Sequence, residues 1–318
     1  MRAIARAGSE NNSHPVTISY TLGCPLSFAT EPMNKLITYT FRNCYRLILF
    51  VFSFPLLLFP GLAYASLPQS SNVPGGVAIV PLTSILTSTG KPQAWLGDQP
   101  VLVTSDHELW VAVVGLALDI TPGEHELRVN IDGETQVQHF IVNPKDYPEQ
   151  RITLKDKSKV ELSAADLARA EREISAITGL KQTWRAAPDN DLDFIIPVEG
   201  DLSSRFGLRR FFNDEPRAPH AGLDVAVARG TPVKASAPGT VLAADDYFFN
   251  GKTVFIDHGN GLITMYCHLD QFEVQVGQTV SKGQLIGLSG KTGRATGPHL
   301  HWSVVLNGVM VDPELFIP

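Results

Sequence analysis

Hydrophobic positions along the chain repeat with two periods. Between Val77 and Val142 they fall in short β-like runs, VAIVPL, AWLGDQPVLVTS, LWVAVVGLAL, HELRVNI and TQVQHFIV. Pro92, the stretch DITPG at 119–123 and the hairpin signal Asp132-Gly133 break these runs. Strands of this length and spacing predict a small N-terminal β-sandwich of immunoglobulin-like type over 77–150. A helical period occurs in 163–184, inside a connector spanning 151–193. Ser163 caps it with Asp166 three residues on, Leu167, Ile174 and Ile177 share a face, and Gly179 marks its end. From Phe194 to Pro318 the β pattern returns, dense in glycine: SSRFGLRR, HAGLDVAV, DHGNGLITMYCHL, VGQTVSKGQLIGLSG and TGPHLHWSVVLNG. With no helix between these strands, 194–318 predicts an antiparallel sheet folded over into a partial barrel. The chain is therefore mainly β, with one connecting helix.

The first 65 residues read differently. Residues 47–62, LILFVFSFPLLLFPGL, form a long apolar run preceded by Lys35, Arg42 and Arg46 and followed by Ala63-Tyr64-Ala65. That order predicts a signal peptide cut after Ala65. The rival reading is an uncleaved anchor, which would be the protein's one membrane contact. The run falls short of the ~20 residues of a span, and Pro55 and Pro60 make it a poor helix. A start at Met33 would give a leader of nearly ordinary length. The expected product is exported, to the periplasm or the extracellular envelope, and begins with a Ser/Pro/Gly linker at 66–76.

Charge narrows the partners. The 318 residues carry a net −6, and removing 1–65 takes five basic and two acidic side chains, leaving −9. An acidic chain of ordinary globular composition is not a nucleic-acid binder. Cys24 and Cys44 leave with the leader, so Cys267 remains without an intramolecular partner.

The chemistry concentrates after residue 219. His220-Ala-Gly-Leu-Asp224 sets an imidazole and a carboxylate four apart at the entry to a strand. In His299-Leu300-His301 the two imidazoles project from one face of a strand while Leu300 faces the core. On the same rule His268 shares a face with Tyr266, leaving Cys267 opposite, packed in the core. Hydrolytic zinc sites take three N/O ligands and leave a fourth position open, and His and Asp side chains supply such a set. Five His/Asp groups are available to divide between metal and proton transfer.

These residues carry a resemblance. His220-x-x-x-Asp224, Tyr266-x-His268-Leu269 and Gly297-Pro298-His299-Leu300-His301 resemble the lysostaphin-type (LytM-like) zinc endopeptidases. Ser204-x-Phe206-Gly207-x-Arg209 and Asn307-Gly308 with Asp312-Pro313 fit as well, and the similarity covers about 195–318. It implies one Zn²⁺ bound by His220, Asp224 and His301, with His268 and His299 as catalytic histidines. It implies peptidoglycan as substrate, cut at peptide bonds of stems or cross-links; since an acidic chain is not drawn at long range to an anionic wall, targeting then rests on local contacts or a cell-wall protein partner. Cys267 departs from the family's usual small residue before the Tyr-x-His histidine. Residues 77–142 are more weakly similar to an N-terminal β domain of exported members.

Rival readings have their own tests. A non-catalytic family member that activates a cell-wall amidase would have lost zinc ligands, and all five positions are present here. VGQTVSKGQLIG is similar to lipoyl-type hybrid barrels, but the modified-lysine hairpin is missing. His107-Glu108 and His125-Glu126 lack the second histidine of a zincin motif and read as surface residues. His258 reads as structural or solvent-facing in a hairpin turn. Among Arg205, Arg209 and Arg210, Arg209 is the candidate for meeting stem-peptide carboxylates. The segment Pro188–Asp193 reads as a solvated acidic linker, with replacement of zinc-bound water by its oxygen donors as the alternative.

Overall fold

The computed structural model describes residues 67–152, 162–188, 190–212 and 214–318. The leader reading lies outside them, as does the 66 end of the linker. Among the described residues no helix is long and apolar enough to cross a membrane.

Strands β1 (Val77–Ser84), β2 (Gln93–Leu96), β3 (Gln99–Asp106), β4 (Leu109–Gly115), β5 (Gly123–Ile131) and β6 (Glu134–Val142) follow the predicted runs. They form one antiparallel sheet in the order β1-β4-β3-β2-β5-β6. The sheet divides along β3, whose Gln99–Val101 pair with β2 while Leu102–Asp106 pair with β4. Ala78, Val80, Ala112, Leu127, Val129 and Phe140 belong to its core.

The other face of β1, β3 and β4 is buried too. Val77, Leu102 and Val113 share a core with Leu223, Trp302 and Leu306 of the C-terminal half. The unbroken run Val111–Val114 is the mark of a strand covered on both sides. Asn307 fastens the contact, accepting from the Gly115 N–H (2.6 Å) and donating to its carbonyl (3.1 Å). Nearby, Asp312 donates its N–H to the Gly75 carbonyl and Gln69 donates its own to Leu315. The described part of the Ser/Pro/Gly stretch is thus held against the C-terminal half.

The connector begins with β7 (Glu149–Ile152) and continues as α1 (Ala164–Lys181). Ser163 caps the helix, its hydroxyl accepting from the Asp166 N–H. The packed face differs from the predicted one. Leu167 and Ile174 are exposed, and Ala170 is buried, with Ile177 and Leu180 packed against a small core. Polar contacts at Arg169 and Glu173, which hydrophobic periodicity does not register, turn that face inward.

After α1, part of the segment 188–193 is drawn into the fold while Pro188 and Asp193 stay exposed. Asn190 is buried, donating to the carbonyls of His258 (2.9 Å) and Gly259 (3.0 Å). Asp191 and Asp193 pair with Lys282 (2.8 and 3.6 Å). These side chains anchor the entry to the second β region and are committed there; Asp189 lies outside the described residues.

That region holds β8 (Asp201–Ser204), β9 (Arg209–Phe212), β10 (Glu215–Pro216), β11 (Leu223–Ala226), β12 (Pro232–Lys234), β13 (Gly239–Tyr247) and β14 (Gly251–Gly259). It continues with β15 (Leu262–Phe272), β16 (Thr279–Val280), β17 (Leu285–Ser289), β18 (His299–Leu306), β19 (Val309–Val311) and a 3-10 turn at Pro313–Phe316. The main antiparallel order is β16-β13-β14-β15-β18-β11-β8, with β17 bridging β12 and β15 and β19 edging β18. The sheet is nearly closed. A separate small sheet, β10-β9-β7, ties the connector to the hairpin ahead of His220.

Candidate metal centre

Strand register assembles the centre. β11 and β18 are antiparallel neighbours, with Asp224 opposite His301 and Ala226 opposite His299. Leu223, Val225, Leu300 and Trp302 enter the main core. Asp224, His299 and His301 are left on the other face, as the alternation predicts. His220 arrives from the turn before β11, held by its N–H to the Leu208 carbonyl (3.0 Å) and its carbonyl to the Gly207 N–H (2.8 Å). Gly222 lies between them because no side chain fits. A Cβ there would meet Ser303 Oγ at 2.5 Å and His301 Nε2 at 2.6 Å.

Three donor atoms converge. His220 Nε2 is 3.0 Å from Asp224 Oδ1 and 3.1 Å from His301 Nδ1, and Asp224 Oδ1 is 2.8 Å from His301 Nδ1. The other ring nitrogens fix the tautomers. His220 Nδ1–H donates to the Arg205 carbonyl (2.9 Å), leaving its Nε2 with a lone pair. His301 Nε2 meets Ser303 Oγ at 2.9 Å, so its Nδ1 can face the carboxylate as a second lone pair. Ligands about 2.0–2.1 Å from a tetrahedral zinc stand ~3.3 Å apart, close to the observed triangle. Two imidazole lone pairs and a carboxylate oxygen repel one another unless a cation lies between them. The donor set fits a zinc-type ion.

The electrostatics agree. In the absence of an ion, a proton on His220 Nε2 or His301 Nδ1 hydrogen-bonds the Asp224 carboxyl, outweighs the burial that would raise it and holds it well below the usual carboxylate range; an ion takes the place of that proton. Burial pushes the His301 imidazole down, so it remains neutral and able to ligate.

His268 reaches the same face by a route that strand alternation misses. Lys252 pairs with Leu269 and Val254 with Tyr266, so Cys267 and His268 together oppose Thr253. This β-bulge puts His268 at φ +61°, turned off the face of Tyr266. Tyr266 enters the main core, and Cys267 lies opposite His301, buried in a smaller core beneath the site. The expectation that His268 and Tyr266 share a face is thereby corrected. Burial of Cys267 agrees with a packing role and pushes its thiol up to about 11. The His268 ring stands 4.7 Å from His299 and 6.1 Å from His301, centroid to centroid.

Both histidines commit Nδ1–H to backbone carbonyls, His268 to Thr292 (2.9 Å) and His299 to Gly297 (2.9 Å). Each therefore keeps a lone pair on Nε2. Burial outweighs the Thr292 carbonyl and lowers His268 to about 4.

Arg209 pairs with Glu149 at 3.0 Å, on the connector sheet. Arg210 instead donates to Ser204 Oγ (3.1 Å) and stands 3.8 Å from Asp224 Oδ2. Its Nε is buried with no hydrogen-bond partner among the described residues. Ser204 Oγ in turn lies 3.3 Å from His220 Nδ1. Ser204, Ser303 and the carbonyls of Arg205, Thr292 and Gly297 are the supports that sequence reasoning did not single out. His258 is buried, linking the Pro238 carbonyl (2.7 Å) to Thr264 Oγ1 (2.9 Å), and is structural.

Comparison with known proteins meets this geometry. Residues 218–313 match the model of Peptidase family M23, and residues 70–145 match that of the Peptidase family M23 N-terminal domain. A crystallised Pseudomonas aeruginosa protein assigned to peptidase M23 is 40% identical; the match covers 78% of this chain and 96% of that one, with TM-score 0.66. The chain belongs to peptidase family M23. Among curated relatives, the peptidoglycan DD-endopeptidase ShyA of Vibrio cholerae serotype O1 is 47% identical over 112 residues, 35% of this chain and 26% of the relative. The DD-carboxypeptidase/endopeptidase Mpg of Neisseria gonorrhoeae is 42% identical over 112 residues, again 35% and 26%. The chain thus spans about a quarter of the length of these curated relatives.

Proposed function

We propose that this chain is an exported zinc-dependent endopeptidase that hydrolyses peptide bonds in peptidoglycan stems or cross-links. The observation that carries the reading is the convergence of His220 Nε2, Asp224 Oδ1 and His301 Nδ1 to within 3.1 Å of one another. Peptidoglycan comes from the relatives' activities, and export from the signal-like leader.

Zinc in such a ligand set supplies Lewis-acid polarisation of a carbonyl and activation of water near neutral pH. The chain's own residues do the rest. His268 and His299 present Nε2 lone pairs beside the ligands, while carbonyl contacts on Nδ1 fix their rings. One accepts a proton from the attacking water and returns it to the leaving amine; the other hydrogen-bonds the developing oxyanion. Arg210 positions Ser204, and through it the His220 ring.

Elemental analysis and digestion of purified sacculi test the reading together. The wild-type chain should hold one zinc ion and release products cut at a peptide bond, identified by mass spectrometry. H220A, D224A and H301A should lose metal and activity together. H268A and H299A should keep zinc and lose ~10²–10⁴-fold in turnover. A metal-free, inactive wild type would overturn the reading in favour of a binding-only role. Zinc lost in H299A but kept in H301A would reverse the roles within that pair.

A further inference from the structure

Helix α1 is held by unusual means. Leu167 and Ile174 point to solvent, so its apolar hold is confined to buried Ala170 and to Ile177 and Leu180, packed against the smaller core. Its polar face is anchored instead. Glu173 accepts the Phe248 N–H at 2.6 Å. Arg169 pairs with Glu173 at 2.7 Å, donates to the Asp246 carbonyl at 3.0 Å, and lies 5.8 Å over the Phe248 ring. All these contacts fall on the approach to the β13–β14 turn.

The far side of that turn touches His268. The Asn250 carbonyl accepts the His268 N–H at 2.9 Å, and the Asn250 amide reaches Cys267 Sγ at 3.5 Å. Phe249 accepts the Arg294 N–H at 3.0 Å, and the Lys252 N–H bonds Thr292 Oγ1 at 2.9 Å. Thr292 is the residue whose carbonyl takes His268 Nδ1–H. The packing leaves no slack, since a Cβ on Gly251 would lie 2.3 Å from the Thr292 carbonyl carbon. The grip of Glu173 on Phe248 is therefore two residues from Asn250, which meets the His268 backbone.

We propose that Glu173 is a positioning residue for His268: through Phe248 the connector helix clamps the β13–β14 turn, and the clamped turn sets the backbone and ring of that histidine. The inference rests on the proposed hydrolase reading for its kinetic consequence, and on packing alone for its structural one. It gives the connector a task beyond joining two β regions.

The test uses the full chain with E173A, E173Q and, as control, E171A on an exposed part of the helix. Kinetics on a soluble cross-linked muropeptide should show kcat lowered about tenfold in E173A with KM within about twofold. E173Q should keep most activity, because its amide oxygen still accepts from Phe248, and E171A should match wild type. The second readout is the rate at which iodoacetamide alkylates native Cys267, located by peptide mapping. Loosening the turn should speed that labelling at least fivefold in E173A and little in E173Q. Unchanged labelling in E173A overturns the clamp. Faster labelling with unchanged kcat, or E173Q as impaired as E173A, overturns the positioning role. An inactive wild type would fail the hydrolase reading, and the labelling ratio alone would then decide whether the clamp holds.

Discussion

Replacing Gly222 by alanine perturbs the metal centre without touching a ligand. The added Cβ would stand 2.6 Å from His301 Nε2 and Cε1 and 2.5 Å from Ser303 Oγ. Ordinary contact begins at ~3.5 Å, so the imidazole must retreat by nearly 1 Å or the turn carrying His220 must move. Zinc–ligand distances hold within about 0.2 Å, several times less than that displacement. The Ser303 bond that orients His301 is strained by the same atom. Losses of this kind, where supporting groups are disturbed and ligands kept, amount to ~10–100-fold in metal affinity, or about 1.4–2.7 kcal/mol. Competition with a chromogenic chelator at fixed pH measures the affinity directly, and thermal unfolding of the metal-free chain separates local from global damage. G222A should bind zinc 10–100-fold more weakly, with its metal-free melting temperature little changed. A wild-type zinc affinity in G222A would refute the claim that close approach to His301 is why glycine stands there.

Two further tests follow from side chains at and beyond the centre. Burial holds His258 at about 4, against ~6.5 when unfolded, so the folded chain binds fewer protons between those values. Its stabilising effect is complete above pH 6.5 and lost as pH falls toward 4, about 2 kcal/mol of it between pH 7.5 and 5.0; urea titrations should show that slope reduced in H258Q, and equal slopes in the two proteins would discard the assignment. R210A should lower kcat/KM about tenfold by releasing Ser204 and the flank of Asp224, whereas R209A, which cuts an exposed pair with Glu149, should change it less than twofold; the reverse order would refute this ranking in favour of Arg209, the candidate read from the sequence.

Much of the fold was legible because its periods are local. The six N-terminal strands fall on the runs read from alternation, and the Ser163 cap lies where the capping pattern put it. What alternation could not give is which apolar run serves two interfaces. Val111–Val114 was read as one more strand of a separate sandwich, though an unbroken run signals cover on both faces. The second cover is the Trp302 and Leu306 side of the peptidase sheet, far away in sequence. The helix face failed for a related reason. Leu167, Ile174 and Ile177 satisfy a hydrophobic stripe, yet the contacts that orient the helix are Arg169 and Glu173 on the β13–β14 turn.

The same distinction runs through the site. His299 and His301 share a face because they are two residues apart on a regular strand, and Asp224 joins them by register with its neighbour. Gly222 was present in the motif, and its meaning as a point of close approach follows once His301 is placed against it. His268 is different, for its position depends on an added residue in β15 that takes it off the face of Tyr266, where alternation puts it. The bonds that fix that bulge come from the Asn250 and Thr292 carbonyls, 18 and 24 residues away. A period-two reading has no access to them. The side chain whose placement was least legible is thus the one set by a bulge and by carbonyls outside its own strand pattern, and a helix outside the peptidase sheet can reach it through the turn that supplies one of those carbonyls.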